Sequence, residues 1–177
     1  MQSGCDSVLA RMNRKYDSAR YYKSVKLLNE AYEAPGITTD LIVGFPGETE
    51  EEFQQTLAFI RRCAFSAMHI FPYSRRPGTP ADGMPGQILN SIKEERAHRA
   101  QQTALEMEAA YLDRWVGQTV PVLFEEERDG LWRGHTTRYS EVAAPSGEDL
   151  HNQLRQVYIT GRAGNILQGE LCEGQEK

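Results

Sequence analysis

Apolar residues recur every three or four positions over residues 18–33, at Ala19, Tyr22, Val25, Leu28 and Tyr32. This spacing predicts an amphipathic helix, which Pro35-Gly36 stops. Val8, Leu9 and Met12 predict a shorter helix over 6–16. The next run, ITTDLIVGF at 37–45, is nearly continuously β-branched and apolar, the pattern of a strand buried on both faces of a parallel sheet. Pro46-Gly47 then turns the chain into a helix at Thr49, where Glu52 completes a capping box and Phe53, Leu57 and Ile60 form a buried stripe. AMHIFPY at 67–73 reads as a second strand, so 37–73 form one βαβ unit. Residues 74–86 hold three prolines and three glycines and predict a loop. Leu89, Ile92, Ala100, Ala104, Met107 and Tyr111 share one face of a long helix over 88–111.

After Trp115-Val116-Gly117 the period shortens. Five short β-rich runs follow, at 119–124, 131–136, 140–143, 156–160 and 166–171, separated by turn residues such as Asp129-Gly130 and Gly164-Asn165. They predict a small five-stranded antiparallel barrel. The fold class is therefore α/β followed by all-β, with domains at 1–113 and 114–172 and a disordered tail over 173–177.

Composition narrows the function. Of 177 residues, 40% are hydrophobic, and no apolar run approaches the roughly 18 residues of a membrane span. The first residues lack the pattern of a secretory signal, so the expected location is cytoplasmic, with no membrane partner. Twenty basic against 25 acidic residues, a net charge of -5, argue against a protein that grips nucleic acid with its whole surface but leave room for local basic patches, and no DNA partner is expected. Cys5, Cys63 and Cys172 are too far apart for a disulfide framework, a zinc knuckle or a compact cluster-binding triplet.

Two parallel strands cannot by themselves bury both faces of a sheet. The expectation is that further strands come from elsewhere, either from another chain or from a part of the protein preceding residue 1.

Four segments, QSGCDSVLARMNRKY, ITTDLIVGFPGETEEEF, FPYSRRPGTPA and the terminal barrel, resemble in order and spacing the downstream half of the radical SAM methylthiotransferases. The first is most similar to the MtaB branch, which modifies threonylcarbamoyladenosine beside the tRNA anticodon. Sister branches act on isopentenyladenosine in tRNA or on an aspartate of a ribosomal protein. The resemblance implies the C-terminal portion of a partial (β/α) barrel followed by a TRAM domain. It also implies S-adenosylmethionine and 4Fe-4S clusters as cofactors, with cluster ligands in a missing N-terminal half, so that this chain alone is inactive. In the intact enzyme, a deoxyadenosyl radical abstracts hydrogen from adenine, sulfur is inserted and a methyl group is added.

The resemblance places the cofactor at Gln2, Ser3, Asp40, Ile42, Val43, Gly44, Pro46 and Gly47. Backbone groups at 42–44 would meet the adenine edge, and Gln2 and Ser3 the ribose or methionine. The acidic run Glu48, Glu50, Glu51 and Glu52 suits a ligand without phosphates. These residues equally fit an ordinary buried strand and a capped helix.

Candidate RNA contacts start with Arg14 and Lys15, within a basic stretch that includes Arg11, Arg20, Lys23 and Lys26 against only Asp17. Arg75 and Arg76 follow the second strand. In the barrel, Arg133, His135, Arg138 and Tyr139 interleave cations with aromatic groups, and Arg162 and Asn165 lie on a turn. Trp132 reads as core. The barrel has six basic against eight acidic residues over 114–171, so RNA binding there requires charge to be segregated. The expected partner is a tRNA anticodon stem-loop. A non-catalytic RNA-binding protein is the alternative from another class.

Overall fold

A computed structural model describes residues 1–172. The chain forms two compact units, Met1–Met107 and the part from Glu108 onward, which divide within a long helix. The expected tail at 173–177 lies outside the described residues.

In the first unit, α1 (Asp6–Arg11) is shorter than the apolar spacing predicts. Asn13 takes a left-handed conformation (φ 56°) and turns the chain before residue 16. Asp17 accepts the Arg20 N–H at 2.7 Å and so caps α2 (Ser18–Ala31). β1 (Thr38–Val43) leads to α3 (Glu50–Cys63), whose capping box forms as expected: Thr49 Oγ1 accepts the Glu52 N–H, and Glu52 Oε2 accepts the Thr49 N–H. β2 (Ala67–Pro72) pairs parallel to β1, with Thr38 opposite Ala67 and Val43 opposite Pro72. A 3-10 turn at Pro80–Gly83 lies inside the expected loop, and α4 (Asn90–Asp113) follows.

Within this chain the two strands bury one face only, as two parallel strands by themselves must. Thr39, Leu41 and Val43 are buried, and they alternate with exposed Thr38 and Asp40 and half-buried Ile42. The buried face joins Val25, Phe53, Leu57, Ile60, Cys63, Phe65, Ala100 and Ala104 in a single core, so α2, α3 and α4 all contribute to it. The opposite face holds Asp40 and Ile42 beside His69 and Phe71, and Phe71 is 52% exposed. On the edge of β1 away from β2, the Ile42 N–H donates to the Gln2 carbonyl at 3.0 Å, so the first residues lie alongside the strand.

The second unit is a closed barrel of β3 (Thr119–Arg128), β4 (Leu131–Thr136), β5 (Glu141–Ala144), β6 (Leu154–Ala163) and β7 (Ile166–Leu171), in the order β3-β4-β5-β7-β6. Its interior holds Val122, Phe124, Trp132, Val142, Val157, Ile159 and Leu167, so Trp132 is core as read. The barrel is not wholly antiparallel, because β5 and β7 pair parallel. Strand directions can alternate all the way round a closed ring only when the strand number is even. Five strands therefore require one parallel contact. At Gly134 β4 passes close to β3, and a Cβ there would lie 2.2 Å from the Leu123 carbonyl oxygen.

Candidate functional site

Ligands of parallel α/β sheets collect at the carboxyl ends of the strands, and here β1 ends in the turn 44–48. Gly44 (φ +70°) is the position where the chain leaves the strand, and a Cβ there would lie 2.5 Å from Lys93 Cγ. Glu48 folds back into the protein, with its side chain 2% exposed. Its Oε1 accepts the Gly44 N–H at 2.9 Å and Arg96 Nη1 at 2.8 Å, and its carbonyl accepts the same guanidinium at 3.0 Å. Burial raises the Glu48 carboxyl above its ordinary pKa, against the opposing pull of the Gly44 N–H and Arg96.

Two of the three remaining acids of this run, Glu50 and Glu52, are also engaged. Arg11 forms a fork on Glu52, with Nη2 to Oε2 at 2.6 Å and Nη1 to Oε1 at 2.9 Å, and Ser7 donates to the same carboxylate. Arg11, through this hydrogen bond, does most to hold Glu52 at about 2. Arg99 bonds Glu50 at 2.7 Å and lowers its pKa. Three of the four acids, Glu48, Glu50 and Glu52, are therefore arginine-paired carboxylates that fasten the turn to α1 and α4, and Glu51 is exposed. Sequence reading missed Arg96 and Lys93, because charged positions on a long helix read as its solvent face.

The expected cofactor residues divide into two groups. Asp40 and Ile42 lie on the open face, and Gly47 is exposed. Ser3 is fully buried, sharing a hydrogen bond with Thr56 Oγ1 at 3.2 Å and accepting the Cys5 N–H. Val43 and Pro46 are buried as well. The Gln2 side chain accepts a hydrogen bond from the Tyr16 hydroxyl at 2.8 Å. Backbone groups expected at an adenine edge are engaged within the chain: the Ile42 N–H with Gln2, the Gly44 N–H with Glu48 and the Val43 carbonyl with the Tyr73 N–H. The open face thus offers side chains more than strand N–H groups. Among the described residues no cluster of three or more His, Cys, Asp or Glu is arranged to hold a metal ion. The residues present do not fit an iron–sulfur cluster.

Among the RNA candidates, Arg14 and Lys15 are exposed and form no salt bridge within the described residues. Arg11, from the same basic stretch, is taken by Glu52. Arg75 is tied to its own loop by hydrogen bonds to the Asp82 side chain (2.8 Å) and carbonyl (2.9 Å), and Arg76 is exposed. On the barrel, the His135 and Tyr139 rings lie 5.9 Å apart, and Tyr139 is 89% exposed. Arg133 reaches Glu141 at 3.3 Å, on the same strand pair. Arg138 stacks 4.6 Å from the Trp115 ring centroid and Arg162 bonds Asp113 at 2.6 Å, which brings these two cations to one short segment. Asn165 is exposed on the β6–β7 turn. No helix among the described residues is long and apolar enough to cross a membrane.

Residues 1–60 match the radical SAM superfamily. The chain is 37% identical, over 98% of its length, to the threonylcarbamoyladenosine tRNA methylthiotransferase MtaB of Bacillus subtilis (strain 168), of which it covers 41%. It is 40% identical, over 98% of its length, to the tRNA-2-methylthio-N(6)-dimethylallyladenosine synthase of Sorangium cellulosum (strain So ce56), covering 37% of that protein. The corresponding synthase of Oleidesulfovibrio alaskensis is 41% identical over 96% of the chain, with 42% covered. The chain thus spans about two fifths of the length of these curated relatives.

Proposed function

We propose that this chain, which is 37–40% identical to tRNA methylthiotransferases over 98% of its length and matches the radical SAM superfamily over residues 1–60, is part of such an enzyme and forms one wall of its cofactor pocket and its RNA-binding module. On this reading residues 1–113 are part of a (β/α) barrel, residues 114–172 are a TRAM domain, and the protein works in the cytoplasm. The substrate is a modified adenosine beside the anticodon. The observation that supports this most is that identity to tRNA methylthiotransferases runs across both units, over 96–98% of the chain, so the strand end and the small barrel occur together.

S-adenosylmethionine supplies the radical and methyl chemistry when bound. This chain's own contribution is to receive the adenosyl group on the open face, where Ile42 provides an apolar surface and Asp40 a hydrogen-bond acceptor. The turn 44–48 stays fixed because Glu48 is locked between the Gly44 N–H and Arg96. RNA phosphates would be held by Arg14, Lys15 and Arg76, and a splayed base would stack on Tyr139 beside His135. The opening segment QSGCDSVLARMNRKY supports the threonylcarbamoyladenosine branch.

Nucleoside mass spectrometry of tRNA from the source organism, with and without the gene, tests the reading. Loss of the methylthio form of threonylcarbamoyladenosine is the expected result. An unchanged set of methylthiolated nucleosides overturns it.

A further inference from the structure

A cavity of about 440 Å³ opens at the carboxyl end of β2, between Tyr73, Ser74 and Arg75 on one side and Asn90, Lys93 and Glu94 of α4 on the other. Its volume is that of a small-molecule subsite. Lys93 is 6% exposed, held down where its Cγ occupies the space a side chain at Gly44 would need. Its ammonium has a single long hydrogen bond, 3.4 Å to Asn90 Oδ1, and lies 5.4 Å from the Tyr73 ring centroid. Among the described residues it makes no salt bridge, although buried charges are normally paired. Arg75 is held at the cavity by Asp82 through Nε and Nη2. Glu94 lines the same cavity from an exposed position.

We propose that this cavity receives the carboxylate of a threonylcarbamoyl group on the substrate adenosine, with Lys93 as its ion partner and Arg75 as a second donor. The inference rests on the function proposed above and assigns a specificity site within it. A carboxylate supplies the counter-charge that Lys93 lacks among the described residues. Glu94 accepts a hydrogen bond from the hydroxyl or carbamoyl N–H of the same group. A dimethylallyl group has neither feature and would leave the Lys93 charge buried against hydrocarbon. The backbone phosphates of an RNA are carried on its outside and suit exposed cations better than a recess.

The test is an NMR titration of the 177-residue chain with four nucleosides: N6-threonylcarbamoyladenosine, its carboxyl methyl ester, N6-dimethylallyladenosine and S-adenosylmethionine. Inorganic phosphate serves as a competitor. The free acid is expected to shift the Lys93 and Arg75 side-chain resonances and to bind at least about tenfold more tightly than the ester or the dimethylallyl nucleoside. Lys93→Met and Arg75→Gln should each reduce that preference. Arg75 is exposed, so its variant remains folded and keeps the test decisive if Lys93→Met unfolds. Equal binding of acid and ester, no binding of either, or a preference retained in Arg75→Gln overturns the proposal. So does S-adenosylmethionine or phosphate occupying Lys93 in preference to the free acid. A chain that binds tRNA and is needed for methylthiolation, yet fails this titration, loses the specificity site and keeps the function.

Discussion

Glu48 and Arg96 meet at 2.8 Å with side chains 2% and 6% exposed, and the same Glu48 oxygen accepts the N–H of Gly44. The end of β1 is thereby fixed to α4 through two buried charges. Removing one member of a buried pair leaves the other uncompensated, a cost of about 3–5 kcal/mol. Arg96→Met should therefore lower unfolding free energy in urea by that order. Glu48→Gln keeps an acceptor for Gly44 and should cost less. Burial raises the Glu48 carboxyl, so the folded state holds its proton more tightly than the unfolded chain. Wild type should lose this contribution as pH rises through the raised value, and Glu48→Gln should remove that loss.

Glu52 has the opposite sign. Its carboxyl lies at about 2 instead of the ordinary 4.5, so its contribution is fully present above pH 4.5 and is lost as pH falls toward 2. Arg11→Gln should flatten this acid limb in thermal melts recorded between pH 2 and 6. An unchanged acid limb would show that the Arg11 fork is not its source.

Gly44→Ala places a Cβ 2.5 Å from Lys93 Cγ at a φ of +70° and should destabilise by about 1–3 kcal/mol. Combining it with Lys93→Ala removes the 2.5 Å contact and leaves a 3.3 Å contact with the Cβ of residue 93 and the backbone strain. The double variant should therefore lose less than the sum of the single losses in denaturant titrations.

These relationships mark where sequence reading stops. The Thr49–Glu52 capping box, the α3 stripe and the bounds of β4 and β7 were legible because local period and capping chemistry determine them. The near-continuous apolar run of β1 marks a strand, and within this chain its alternate positions Thr39, Leu41 and Val43 face the core. Lys93 and Arg96 were invisible as site residues, since their burial depends on Gly44 and Glu48, more than 40 positions away. The parallel β5·β7 contact follows from ring closure, which no single strand encodes.

Cys172 and Cys63 should separate by reactivity. Cys172 is exposed, whereas Cys63 is buried and its thiol is pushed up to about 11 by burial. In the native chain at pH 8, iodoacetamide should label Cys172 and spare Cys63 until denaturant is added. Rapid native labelling of Cys63, followed by peptide mass spectrometry, would contradict the packing described for α3.

Tyr139 is 89% exposed, so Tyr139→Ala should leave the melting temperature nearly unchanged. Loss of a stacked base should weaken anticodon stem-loop binding by about 1–3 kcal/mol. An unaltered affinity would remove Tyr139 from the RNA surface.

Fluorescence anisotropy of labelled anticodon stem-loops against this chain, repeated from low to physiological salt, bears most directly on the role proposed for it in tRNA modification. The account predicts saturable binding whose logarithm falls linearly with the logarithm of salt concentration, weakened by charge removal at Arg14, Lys15 and Arg76. Absence of binding at the lowest salt, or binding indifferent to those three residues, would contradict it.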